Sequence, residues 1–185
     1  LGEQTLGDRL RKRISFATAI HLIEQMIEAV AHAHENKIIH CDIKPENMII
    51  HPDGRLQLMD FGIAKVAQKT IMRTMIASGS GTVGYMAPEQ AMGRPSARSD
   101  VFALGLMIYK VLTNHLPEYP FHWPPPGFAT LRRKAHPDFI DFIRRSLEVR
   151  PNRRYSDATE MLSVFQRLKP RIKRFEADRK RRQAS

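Results

Sequence analysis

The chain has 185 residues, 42% of them hydrophobic and 26% charged, with a formal net charge of +11. That is apolar content for one well-cored domain and too much for a disordered segment. No apolar run is long enough to cross a bilayer, the first residues show no signal-peptide pattern, and a lone cysteine excludes an internal disulfide, which fits a reducing cytoplasm.

The first residue is Leu1 rather than Met, so the gene product is expected to start further upstream. Phe16, Ile20, Ile23, Ile27, Val30 and His34 recur at steps of three and four, which predicts a helix burying one face, with Ser15 as its N-cap. The period then changes. Met48-Ile49-Ile50 and Leu56-Gln57-Leu58-Met59 flank Pro52-Asp53-Gly54, a turn signal, and predict a small β-hairpin. Residues 65–86 are polar, rich in Ser, Thr and Gly, and read as a long functional loop. Val101, Leu104, Ile108, Val111 and Leu112 predict a second long helix. Five prolines between 114 and 127 rule out extended regular structure there. Two further helices are expected, one along Phe139, Phe142, Ile143 and Leu147, the other along Met161, Leu162, Phe165 and Leu168 with Ser156 as its cap. The fold class is therefore mainly α with a small β-hairpin.

Asp42, Lys44 and Asn47 lie on a turn just before the hairpin and Asp60 just after it. A hairpin returns its ends to one place, so these four side chains are expected to converge. Either aspartate alone would read as a turn or cap carboxylate. The joint pattern points to a site.

His40-Cys41-Asp42-Ile43-Lys44-Pro45-Glu46-Asn47 resembles the catalytic loop of protein kinases, and Asp60-Phe61-Gly62 the metal-binding triplet of that family. Ala87-Pro88-Glu89, the preceding Gly81-Thr82-Val83-Gly84-Tyr85-Met86, the helix start at Ser99-Asp100-Val101-Phe102-Ala103-Leu104-Gly105, and Arg150-Pro151-Asn152-Arg153-Arg154 resemble later family motifs, in family order. The resemblance runs from about residue 5 to 168 and its style is that of the bacterial Ser/Thr branch. It implies a protein-kinase-like fold represented by its C-terminal lobe, residues 1–168. A basic tail at 169–185 follows, set off from the last helix by Pro170 and expected to be flexible. The resemblance implies ATP and Mg²⁺ as cofactors and proteins bearing Ser or Thr as substrates.

Roles follow residue by residue. The resemblance makes Asp42 the acceptor of the substrate hydroxyl proton, Lys44 the cation near the transferred phosphoryl group, and Asn47 and Asp60 the Mg²⁺ ligands. It gives Thr82 a hydrogen bond toward Asp42 and Lys44, has Asp100 hold the catalytic-loop backbone, places His40 and Phe61 in the core beneath the site, and pairs Glu89 with Arg154. A rival reading is a pseudokinase-like or truncated scaffold module, docking partners through the groove near 115–135 without chemistry. A small-molecule kinase of the aminoglycoside type fits less well, because Thr82 and Ala87-Pro88-Glu89 belong to a peptide-binding segment.

Three departures stand out. The N-terminal lobe is missing: no Gly-rich loop, strand lysine or partner glutamate appears, and Leu6-Gly7-Asp8-Arg9-Leu10 reads as the helix just past the interlobe hinge. These residues alone are expected to hold ATP weakly, the remainder of the site being sought upstream. Arg150 stands where the family usually has an aspartate, a change without functional account. The basic tail carries nine Lys or Arg against Glu176 and Asp178 over residues 166–185. It reads first as a solvated segment and second as a juxtamembrane stretch drawn to anionic lipid, which would make this the cytoplasmic part of an anchored kinase. A nucleic-acid role ranks last, since the tail holds one aromatic, Phe175, and no binding motif.

The third departure is Cys41, which occupies the position of an arginine that pairs with a phosphate on the activation loop. Cys41 reads as an inert thiol rather than a redox-sensitive one, and it cannot make charge-assisted bonds to phosphate. Activity should therefore survive replacement of Thr70, Thr74, Ser78 and Ser80 by alanine in the complete gene product. A kinase assay of the quadruple variant tests this, and a collapse of activity would contradict it.

Overall fold

A computed structural model describes residues 3–60 and 83–184 of the chain. The apolar stripe from Phe16 builds helix α2 (Phe16–Glu35), which follows the short α1 (Leu6–Leu10), and Ser15 caps it by accepting from the Thr18 N–H at 3.0 Å. The hairpin forms at the expected residues, β2 (Met48–Ile50) against β3 (Leu56–Leu58), with Met48 opposite Leu58. Gly54 takes φ +86°, the left-handed turn conformation that a side chain disfavours. Gln25 of α2 ties the hairpin to the helices, donating to Gly54 O at 3.1 Å and accepting from the Leu56 N–H at 2.8 Å. A third strand, β1 (Gln4–Thr5), adds antiparallel to β2 and makes a three-stranded sheet. Two residues carry no alternation to read, so the sequence did not announce it.

Beyond the sheet come α3 (Pro88–Ala91), α4 (Ala97–Thr113), α5 (Phe128–Lys134), α6 (Pro137–Ser146) and α7 (Ala158–Ala184). Helix α4 is the buried axis: every residue from Ser99 to Tyr109 lies in the interior, with α2, α5, α6 and α7 packed around it. Gly105 permits a close approach of α6. A Cβ placed there would sit 2.8 Å from Ser146 Cβ on α6. No described helix is long and apolar enough to cross a membrane.

Two expectations at α7 are corrected. Its cap is Asp157, whose Oδ1 accepts from the Glu160 N–H at 2.8 Å, while the Ser156 N–H donates to the Glu160 carboxylate. The expected break at Pro170 does not occur, and the helix runs through it to Ala184. Proline removes one main-chain bond, but packing on both sides carries the helix across. Lys169 Nζ reaches both oxygens of Glu24 at 2.5 and 2.6 Å, Ile172 is fully buried, and Phe175 meets the His136 ring edge-on.

One ion pair fastens the segment at Pro88 to the rest. Arg154, its side chain wholly buried, places Nη1 and Nη2 on the two Glu89 oxygens at 2.7 and 3.0 Å. Its remaining donors reach the carbonyls of Glu148, Val149 and Arg98 at 2.6 to 3.1 Å. The Phe102 ring lies under the guanidinium, 4.5 Å away. Every donor of the arginine is satisfied, which is the condition for burying an ion pair without penalty. Burial raises the Glu89 carboxyl, but hydrogen bonds from Arg154 and Ser99 outweigh it and hold it below the ordinary glutamate value. A depressed carboxyl stabilises the fold above its unfolded value of about 4.3 and loses that contribution as pH falls through the folded value. Glu89→Gln or Arg154→Met should each cost about 3–5 kcal/mol in urea unfolding near neutral pH. Glu89→Gln should also flatten the fall of stability below about pH 4.3.

Candidate active site

The site is built on a turn whose backbone is fixed by one carboxylate. Cys41 has φ +65°, a left-handed conformation rare outside glycine. It brings two successive N–H groups, those of His40 and Cys41, onto the Asp100 carboxylate, each at 2.8 Å. The same carboxylate contacts His34 Nε2 at 2.9 Å. His34 Nδ1 lies 3.0 Å from the Ala158 N–H and must accept from it, so the ring's proton sits on Nε2 and is donated to Asp100. Asp100 thus accepts three donors while almost fully buried. Gln90 of α3 adds a fourth support by donating to Cys41 O.

From this turn the expected residues fan out. Asn47 Nδ2 donates to Asp42 O at 2.8 Å and to Asp42 Oδ2 at 3.0 Å. Lys44 Nζ lies 2.8 Å from the same Oδ2. Asp42, Lys44 and Asn47 therefore form one cluster, as the spacing predicted. Both contacts fall on Oδ2, and Oδ1 has no partner among the described residues. Tyr85 and Gln90 line the crevice beside Cys41 and Asp42. Burial, aided by the charge of Glu46, pushes the Tyr85 phenol up to about 12, so it stays protonated.

The hairpin returns Asp60 to this end of the molecule. The Met59 N–H donates to Asn47 O at 2.8 Å, and His40 Nε2 contacts Met59 O at 2.8 Å. Asp60 follows with φ +60° and an exposed side chain. The backbone convergence is thus present; the Asp60 carboxylate makes no bond to the cluster. Thr82 and Phe61, also expected here, lie outside the described residues. His40 is buried, as expected.

The donors fit a hard cation. Asn47 spends its Nδ2 on Asp42, and among the described residues neither its amide oxygen nor the Asp60 carboxylate has a partner. Among the described residues no group of three or more His, Cys, Asp or Glu gathers as a metal site, so a bound ion would need oxygens from elsewhere to complete its shell. Sequence reasoning missed His34 and Gln90. The available signal was a histidine in phase with the buried stripe of α2, which demands a polar partner inside the core.

The chain matches the protein kinase domain model over residues 2–165. It is 42% identical over 100 residues to the serine/threonine-protein kinase PrkC of Bacillus subtilis, covering 54% of this chain and 15% of that protein. It is 33% identical over 172 residues to PknA of Nostoc sp., covering 88% of this chain and 30% of the relative. It is 35% identical over 165 residues to PknB of Mycobacterium tuberculosis, covering 81% and 26% respectively. The chain thus spans less than a third of the length of these relatives.

The geometry makes Asp100 a positioning residue. Asp100→Asn keeps the shape but turns an N–H pair toward the donors of the loop. It should destabilise the fold by about 1–3 kcal/mol. Hydrogen exchange should also speed up at the His40 and Cys41 amides, a readout that uniform destabilisation would not single out.

Proposed function

Because the chain belongs to the protein kinase family, we propose that it supplies the catalytic-loop half of a domain that transfers the γ-phosphate of ATP to Ser or Thr side chains of proteins. In this reading residues 1–168 are the C-terminal lobe, working in the cytoplasm with ATP-covering parts encoded upstream. The single observation that carries the reading is the asymmetry of Asp42. Its Oδ2 is held by Lys44 and Asn47, while its Oδ1 meets no partner among the described residues and the side chain is partly exposed. A carboxylate oriented through one oxygen can accept a proton on the other without losing its position.

The chemistry then distributes over few groups. Asp42 Oδ1 takes the proton of the substrate hydroxyl, whose oxygen forms the new bond to phosphorus while the bond to the bridging oxygen of ADP breaks. Lys44, 2.8 Å from Asp42, reaches toward the transferred group and offsets its charge. Asn47 and Asp60 would hold Mg²⁺, which when bound neutralises the phosphate oxygens. The family resemblance gives Thr82 a part in favouring a hydroxyl-bearing acceptor. A lysine at position 44 matches the form of the loop found in Ser/Thr-specific members, which supports that specificity.

In the complete gene product, Asp42→Asn should lower kcat for phosphorylation of a Ser/Thr protein substrate by about 10²–10⁴-fold. Its melting temperature should stay close to that of the parent, and Lys44→Met should behave similarly. A wild-type rate in Asp42→Asn would remove the proposal, and a chain that folds without any ATP turnover would favour the scaffold reading.

A further inference from the structure

Away from the Asp42 cluster, a cleft of about 430 Å³ opens where the connection between α1 and α2 meets the end of α4, the end of α5 and the distal half of α7. Its wall carries six cationic side chains, Arg11, Lys12, Arg13, Lys110, Lys134 and Arg179, and no carboxylate among the described residues that line it. Local neutralisation is sparse. Arg11 has an exposed 3.7 Å contact with Asp8, and Lys110 Nζ donates to Asn114 O. Lys12, Lys134 and Arg179 have no ion pair among the described residues. Arg179 Nε is moreover buried and meets no acceptor among the described residues.

Basic side chains on a convex surface diverge into water. These converge on a cavity, and their charges feel one another. Burial first, and then Arg133, Arg179 and Arg13, hold the Lys134 ammonium below its ordinary value. An anion in the cleft would relieve the repulsion and give the Arg179 N–H its missing acceptor. Arginine forks match the oxygens of phosphate, and a volume of this size suits a small molecule rather than a bare ion. Six cations also outnumber the charge of a single phosphate.

From the cleft's volume, its unopposed charge and the orphaned Arg179 donor, we infer that it binds a small ligand bearing several phosphate groups, either free in solution or as a lipid headgroup. The site is separate from the proposed phosphotransfer chemistry and does not rest on it. It is nonetheless joined to it mechanically. Phe16 and Ala19 of α2 and Lys110 to Thr113 of α4 line the cleft, while His34 and Asp100, near the opposite ends of the same helices, form the anchor of the catalytic turn. At 1.5 Å per residue the separation along α4 is about 15–20 Å.

Calorimetric titration of the full chain with tripolyphosphate, in EDTA to keep metal out, tests the site. Binding with one-to-one stoichiometry, weakening with added salt, is expected. Lys134→Gln combined with Arg179→Gln should weaken it about tenfold or more. The unliganded double variant should melt no lower than the wild type, since repulsion is removed; Lys134→Gln alone serves if the double variant does not fold. Lys44→Met should leave tripolyphosphate affinity unchanged. Co-sedimentation with phosphatidylcholine vesicles containing phosphatidylinositol bisphosphate identifies the source. Pelleting lost in the double variant assigns a headgroup, and titration without pelleting assigns a soluble ligand. Wild-type affinity in the charge variants, loss of tripolyphosphate binding in Lys44→Met, or failure of the wild type to bind either probe overturns the inference.

Discussion

The carboxylate of Asp100 is the constraint on which the site depends. A left-handed non-glycine residue costs of order 1–3 kcal/mol, and Cys41 is one. What offsets it is a buried anion receiving the N–H groups of His40 and Cys41 together with the ring of His34. Hydrogen bonds to a charged group contribute about 1.5–3 kcal/mol each, so two main-chain bonds suffice to hold the strained turn. The histidine completes the arrangement in another way. Because its Nδ1 accepts from the Ala158 N–H, its tautomer is fixed, and a donor rather than a second acceptor faces Asp100. Helices α2, α4 and α7 thereby meet at one buried point under the turn at residues 40–47.

The first turn of α4 concentrates a second set of ties. Ser99 donates to Glu89 Oε1 at 2.7 Å, Arg98 offers its carbonyl to Arg154, and Asp100 follows in sequence. Three neighbouring residues thus connect the segment at Pro88, the turn at 151–154 and the loop at 40–47. Each tie ends on a charge whose donors or acceptors are satisfied, which is what allows so many polar groups to sit in the core. Gln90 joins the same web from α3, since the residue after Glu89 reaches Cys41 O. The ion pair and the turn at residues 40–47 are therefore supported from one helix end.

Much of this could be read from residues alone, and the parts that could not share a cause. The long stripe of α2 and the hairpin around Gly54 announce themselves because period and turn chemistry are local. The cluster of Asp42, Lys44 and Asn47 followed from their spacing. The four-residue α3 and seven-residue α5 did not, because neither is long enough to display a period. Continuation of α7 through Pro170 was hidden for a different reason: local propensity predicts a break, and the tertiary contacts of Lys169 and Ile172 override it. The role of Asp100 was implied by resemblance. That of His34 was not: its place in the buried stripe called for a polar partner, but a linear pattern does not name one 66 residues away.

The departure at Cys41 becomes intelligible in these terms. The bonds that shape the turn run from main-chain N–H groups to Asp100, and the Gln90 bond ends on a main-chain carbonyl. None of them uses the side chain at position 41. An arginine there would face the same positive φ and the same backbone partners, so exchanging it for cysteine removes a cation without removing a support. The cost of the substitution therefore falls on whatever that cation would have bound and not on the geometry of Asp42. A loop held through its backbone can lose an electrostatic partner and keep its shape, which is why a departure at the centre of the motif coexists here with an intact cluster of Asp42, Lys44 and Asn47.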